Sequence, residues 1–266
     1  MKEAYLYHKL KNNSVRCDLC NHRCAIKSSS RGKCCVRENR GGTLYSLVYR
    51  KLISENVDPV EKKPLFHFLP GTQSLSIATV GCNFKCFFCQ NYEISQMPCD
   101  YKRIEGRDIS PEQLVKDALK YKCRSISYTY TEPTIYFEYA YDTAVLAHEE
   151  GIKNVFVTNG FMSRECIEKA RPYLDAANID LKSFSDEFYR NKVGGRLKPV
   201  LDNIRFMKEI GIWVEVTTLI IPGLNDSNEE LGKIAEFLAD TGCDIPWHIS
   251  AYYPQYKASI PPTDAE

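Results

Sequence analysis

The sequence predicts an α/β protein, a partial (β/α)6 barrel preceded by a small cysteine-rich segment. Three observations carry that expectation. From residue 75 onward, apolar runs of strand length alternate with amphipathic stretches that begin on helix-capping residues. Six such units follow one another before the chain ends. Ahead of them, four cysteines fall within residues 17–34, in a stretch poor in apolar periodicity. Strands alternating with helices make a parallel sheet, right-handed crossovers curl it towards a barrel, and six units in place of eight leave it open.

The expected organisation is a cysteine-rich metal-binding segment over residues 1–57, a linker over 58–74 and the barrel over 75–266. In the first segment Gly32 and the pair Gly41-Gly42 supply turns, and Thr43–Tyr49 has the composition of a strand. Pro59, Pro64, Pro70 and Gly71 make the linker extended. The barrel strands are expected at 75–80, 125–130, 154–158, 177–181, 212–220 and 245–251. Ser110-Pro111-Glu112-Gln113 opens a helix with an N-cap, a first-turn proline and a capping-box glutamine, and Ser227-Asn228-Glu229-Glu230 opens another with glutamate. Gly151, Gly211 and Gly242 stand where helix C-caps fall. A further capping box, Thr263-Asp264-Ala265-Glu266, closes the sequence without a helix behind it, which suggests a native chain that continues or a truncated one.

Composition narrows the class. With 266 residues the chain can bury a full core, and no apolar run has the length of a membrane span. The first residues lack a signal-peptide core, so a cytoplasmic protein is expected. In that compartment twelve cysteines, eight of them before residue 90, argue for metal binding over disulfides. Residues 1–70 carry 14 Lys+Arg against 6 Asp+Glu, whereas residues 71–266 carry 21 against 28. The basic head is either a solvated face or a contact for an acidic partner or nucleic acid. No phosphate loop and no dinucleotide fingerprint is present.

The chemistry starts at Gly81-Cys82-Asn83-Phe84-Lys85-Cys86-Phe87-Phe88-Cys89, directly after the first barrel strand. The spacing C-x3-C-x2-C places three thiolates on one tight loop, with no fourth cysteine before Cys99. That number suits a cuboidal 4Fe–4S cluster with one iron left open to a ligand. Further polar residues follow the remaining strands: Glu132, Asn159, Asp180 with Lys182, the segment around Ile221, and His248 within the sixth. On a barrel these would meet on the C-terminal rim. Lys182 and His248 suit an acidic, hydroxyl-rich ligand, and Glu132 suits an ammonium; no catalytic acid or base is named. Cys17, Cys20, Cys24 and Cys34, spaced x2, x3 and x9, suffice for a second metal site, an auxiliary iron–sulfur cluster or a zinc. Cys123, Cys166 and Cys243 have the placement of ordinary thiols.

The cysteine loop, with the aromatic Phe88 before its last cysteine, resembles the signature of the radical S-adenosylmethionine (radical SAM) superfamily. From about residue 59 to the end, the chain resembles the activating enzymes of pyruvate formate-lyase and other glycyl-radical enzymes. With the N-terminal cysteines and the Asp58–Gly71 stretch included, it is similar to the AmmeMemoRadiSam-system radical enzymes of archaea and bacteria. The resemblance implies a TIM-like partial barrel of the radical SAM type, with Cys82, Cys86 and Cys89 on the cluster and Phe88 near the adenine of S-adenosylmethionine. Glu132 matches the glutamate of a Gly-Gly-Glu motif that holds the methionyl amino group, although Tyr130 and Thr131 replace both glycines. Asp180 and Lys182 match a pair at the ribose and carboxylate, Ile221 with Pro222-Gly223 a segment beside the adenine, and His248 a histidine near the ribose. The implied activity is reductive cleavage of S-adenosylmethionine to a 5′-deoxyadenosyl radical that abstracts hydrogen from a substrate. The implied partners are a reductant such as ferredoxin or flavodoxin and a substrate protein, RNA or small molecule that these residues do not disclose. The competing expectation is a zinc-ribbon-like nucleic-acid or protein binding module with a degenerate barrel.

Overall fold

A computed structural model describes residues 1–263 of the chain; of the terminal capping box only Thr263 is placed, and Asp264–Glu266 lie outside the described residues. The barrel sheet has seven strands: β1 (Ser54–Pro59), β2 (Gln73–Ala78), β3 (Ser125–Tyr128), β4 (Lys153–Thr158), β5 (Ala176–Asp180), β6 (Trp213–Ile220) and β7 (Trp247–Ala251). They lie side by side in chain order, β2 to β7 parallel and β1 antiparallel to β2, so the sheet is open between β1 and β7. The parallel strands are covered on both faces, which is why Ser125–Tyr128 is buried at every position rather than alternately. Helices α1 (Pro111–Lys120), α2 (Phe137–Glu149), α3 (Arg164–Ala170), α4 (Leu197–Glu209) and α5 (Asn228–Thr241) supply the crossovers. Ser110 caps α1 by accepting from Gln113 N, and Ser227 caps α5 by accepting from Glu230 N, as the two capping boxes predict. No helix among the described residues is long and apolar enough to cross a membrane.

The stretch expected to be a linker has a different part. Its first residues end strand β1, and residues 60–69 fold into the barrel's lower mouth. Val60 and Leu65 pack on Val155 and Ala176, with Phe68 and Trp213 alongside. Val155, Ala176 and Trp213 are neighbours in register near the starts of β4, β5 and β6, so this segment stops the N-terminal end of the barrel. Its backbone is satisfied by barrel side chains: Asn178 Nδ2 donates to Pro64 O at 2.9 Å, and Phe66 N and His67 N each donate to the Glu215 carboxylate at 3.0 Å. The prolines that suggest an extended linker are equally suited to a plug that forms no helix of its own.

The N-terminal head is two small antiparallel sheets, Lys2–Glu3 with Thr43–Ser46 and Arg37–Arg40, and Tyr7–Lys9 with Val15–Cys17 and Ala25–Ile26. Its apolar residues, Val15, Leu19, Ile26, Val36, Leu44 and Val48, belong to the same continuous core as the barrel. The head docks on α2 through a fully buried Arg37–Glu138 ion pair and through Asp142, which accepts from Lys2, Tyr5 and Tyr49. Much of the head's positive charge is spent on such pairs: Arg31 and Arg40 share Glu38, and Arg23 bridges Asp18 and Glu165. The expectation that cysteines avoid disulfides meets one exception, a Cys35–Cys99 bridge joining head and barrel. Cys34 turns into the core, whereas Cys35, at φ 61°, meets Cys99 on the short helix Met97–Asp100.

Candidate active site at the barrel mouth

The cysteine loop leaves β2 through Gly81, at φ 109°. A Cβ there would stand 2.8 Å from Val36 Cγ1 of the head, so both the backbone angle and the close approach require glycine. The loop is then held from two sides. A single π turn, Tyr189–Val193, offers the carbonyls of Val193 and Lys192 to Lys85 N at 2.8 Å and Phe87 N at 3.2 Å. Phe84 is buried against Phe161, Tyr189 and His22, and Gln96 Nε2 donates to its carbonyl at 3.1 Å. The thiols have polar neighbours: Phe84 N donates to Cys82 Sγ at 3.3 Å, and Cys89 Sγ lies 3.2 Å from Ser95 Oγ. Burial pushes the Cys82 thiol well up and that of Cys86 up to about 12, with Lys182 opposing the rise at Cys86. Such thiols ionise readily only against a metal or another strong cationic partner.

These cysteines look into a cavity of about 330 Å³ enclosed by the C-terminal halves of the strands. Phe88, Glu132, Asn159, Asp180 and Lys182 all line it, so five rim residues singled out in the sequence converge with the three thiols on one space. Glu132 is 1 % exposed and its carboxylate is well supplied: Oε1 accepts from Thr134 N at 3.0 Å and Thr158 Oγ1 at 2.8 Å, and Oε2 from Asn159 N at 2.8 Å. Burial outweighs these donors and raises its pKa. Oε2, with one protein donor, retains a lone pair for a ligand ammonium. Across the cavity Lys182 Nζ pairs with Asp180 Oδ2 at 2.9 Å and stands 5.9 Å from the Phe88 ring centre. Burial would lower the Lys182 pKa, but Asp180 and the Cys86 thiol reverse that and raise it, so the ammonium stays charged.

Tyr130 and Thr131 replace the glycines of the resembled motif, and the structure shows how. Tyr130 sits at φ 60°, a left-handed angle that glycine adopts freely and that costs a bulky residue about 1–3 kcal/mol. Its hydroxyl donates to Asp58 Oδ2 at 2.5 Å, and Lys63 Nζ lies 4.4 Å from its ring centre. The buried Asp58–Lys63 pair thus holds the tyrosine in the glycine-like conformation, and Tyr130 forms cavity wall.

Two predicted residues do not reach the cavity. Ile221 is fully buried at the end of β6, where its N–H donates to Asn225 Oδ1 at 2.7 Å. His248, expected on the rim, lies within β7 and is drawn towards the plug: its Nε2 is 2.6 Å from Glu215 Oε2, and its ring lies against Phe66 and His67. The polar residue that β7 does present to the cavity is Ser250, two positions on and on the same strand face. Lys62 and Thr217 also line the cavity without having been singled out. For Ser250 and Thr217, period-2 counting from neighbouring inward residues is the signal that finds them; nothing local marks Lys62, which the plug delivers.

The site fits a three-thiolate cluster with a polar, zwitterionic ligand beside it. An acceptor for an ammonium and a fixed cation for a carboxylate face one cavity, with an aromatic face against the cation. Asn83 Nδ2 adds a buried donor without a partner next to Cys82. Barrel, loop and cavity together place three cysteines and a polar cavity at the C-terminal mouth of a partial barrel, where barrel enzymes carry their chemistry. The chain belongs to the Radical SAM superfamily, whose family model matches residues 76–238. It is 48 % identical to Uncharacterized protein MJ0808 of Methanocaldococcus jannaschii over 100 % of this chain and 79 % of that one. Pyruvate formate-lyase 1-activating enzyme of Escherichia coli K12 is 24 % identical over 61 % of this chain and 67 % of its own length. Among solved structures, Streptococcus suis SuiB superposes with a TM-score of 0.56 at 17 % identity, over 70 % of this chain and 41 % of SuiB. Membership of the family implies S-adenosylmethionine and a 4Fe–4S cluster as cofactors.

Proposed function

We propose that the protein is a radical SAM enzyme of activase-like type, which cleaves S-adenosylmethionine reductively and passes the radical to a hydrogen-bearing substrate. The observation that carries this is the convergence of Cys82, Cys86 and Cys89 with Glu132, Asp180 and Lys182 on one cavity. When bound, the cluster and S-adenosylmethionine supply one-electron cleavage of a sulfonium to methionine and a 5′-deoxyadenosyl radical. The chain's residues position and shield. Glu132 accepts from the methionyl ammonium, Lys182 pairs with the carboxylate, Asp180 takes the ribose hydroxyls, and Phe88 packs near the adenine. The plug, with Lys62 and Pro64 on the cavity wall, keeps water out from the N-terminal side of the barrel, so a reactive intermediate meets the substrate before solvent. The electron comes from a small reductant protein such as ferredoxin or flavodoxin. The test is anaerobic reconstitution with iron and sulfide, reduction, and incubation with S-adenosylmethionine. Formation of 5′-deoxyadenosine is expected; its absence from a protein carrying the loop cluster overturns the proposal.

A further inference from the structure

The head holds a second group of thiols that the barrel chemistry does not use. Cys17, Cys20, Cys24 and Cys34 all carry free thiols and line one enclosed space, walled by Leu19, Ile26 and Ile135. Gly32 lets the wall come close: a Cβ there would stand 3.8 Å from Cys24 Sγ and 3.2 Å from Ile26 Cδ1.

Arg37 supplies an independent observation. It is 2 % exposed, it lines this space, and only its Nη2 is used, by Glu138; Nε and Nη1 are buried and have no partner. Leaving a buried donor of a charged group unpaired costs at least about 1–3 kcal/mol for each donor. An anion in the cysteine space would remove that cost.

We propose that Cys17, Cys20, Cys24 and Cys34 ligate an iron–sulfur cluster closed by four thiolates, whose sulfurs accept from Arg37. A single zinc ion needs its four sulfurs about 3.8 Å apart, given a Zn–S bond of about 2.3 Å in tetrahedral geometry. Among the described residues the group whose ligand atoms lie within 4.8 Å of one another is His67, Glu215 and His248, and no three of these cysteines form one. A cuboidal cluster, with its irons at separate corners, takes the wider set. With all four irons ligated and the walls apolar, this centre offers no open coordination position. The space reaches the loop cluster's neighbour: Asn83, beside Cys82, lines it and places its carbonyl 2.8 Å from His22 Nε2.

The inference stands apart from the proposed function, because its test uses a chain without the loop cluster. The C82A/C86A/C89A variant, isolated and reconstituted without oxygen, is expected to retain about four irons and four sulfides per chain and the Mössbauer spectrum of a 4Fe–4S centre. One zinc and no sulfide per chain overturns the cluster, and a metal-free chain overturns the site. Should the triple variant not fold, C24S or C34S in the otherwise intact chain is expected to halve the iron while leaving the loop cluster's spectrum in place; unchanged iron content overturns the proposal. Arg37→Lys keeps a cation for Glu138 but removes two donors to sulfur, and is expected to lower the head cluster's reduction potential. A potential that does not move overturns the role of Arg37.

Discussion

The two cysteine groups of this chain differ chiefly in their surroundings. The loop thiols of residues 82–89 open onto a cavity of about 330 Å³ whose walls carry Glu132, Asp180 and Lys182; exposure alone does not separate the groups, since Cys20 and Cys24 of the head are half-buried like Cys82 and Cys89. The head thiols sit among Leu19, Ile26 and Ile135, with the buried Arg37 and the side chains of His22, Lys33 and Asn83 completing the wall. Three ligands before a polar cavity leave a metal centre open to a small molecule, whereas four within apolar walls close it. Ligand number and wall polarity together separate a reactive centre from a protected one.

The largest effect that bears on this contrast is expected at the loop. Alanine at Cys82, Cys86 or Cys89 should reduce 5′-deoxyadenosine formation to the uncatalysed background, while C24S should leave detectable turnover, both read by anaerobic chromatography. Equal loss in both groups would erase the distinction. Next comes Glu132→Ala, which strips the acceptor from Thr134 N, Thr158 Oγ1 and Asn159 N. A loss of about 2–4 kcal/mol in denaturant unfolding is expected, with Glu132→Gln costing much less. Gly81→Ala forces a Cβ into Val36 at a left-handed angle, and should cost about 1–3 kcal/mol and loosen the head against the loop, read by hydrogen exchange in residues 34–37. Lys182→Met should weaken S-adenosylmethionine binding by about tenfold, or about 1.4 kcal/mol, with iron content unchanged.

The smallest expected effect is a pH dependence at the plug. Burial pushes the Glu215 carboxyl up, but donors from Trp213, His248, His67 N and Phe66 N together hold it below its ordinary value. A carboxyl depressed in the folded state contributes stability above its unfolded pKa of about 4.3 and loses it as pH falls through the lower folded pKa. The metal-free chain should therefore lose thermal stability on the acid side, and Glu215→Gln should flatten that limb. An unchanged acid limb in the variant would detach the plug from Glu215.

Much of this is legible in the amino-acid sequence. The six parallel strands and the five helices between them follow from local periodicity and capping, and the cysteine loop from spacing alone, because a tight three-ligand loop is a short-range feature. Glu132, Asn159, Asp180 and Lys182 converge because each follows a strand and parallel strands end on one rim. Where the expectation concerned a side chain's partner, it carried less far. His248 lies on the expected strand yet is captured by Glu215, 33 residues away, and Ser250 takes its place at the cavity. Tyr130 keeps a glycine-like angle only because Asp58, 72 residues away, holds its hydroxyl.

The sequence by itself determined the alternation of elements, the cysteine spacings and the side of the barrel on which chemistry collects, since those depend on periods of two to four residues and on the chirality of the crossover. Tertiary structure alone decided that residues 60–69 stop the barrel, that Cys35 meets Cys99, and that Arg37 is buried with two unpaired donors on the wall of the space the head thiols line. Each of these is a contact between segments with no local pattern in common. Such contacts are chosen when burial of the whole core forces buried polar groups to find partners wherever the folded chain brings them.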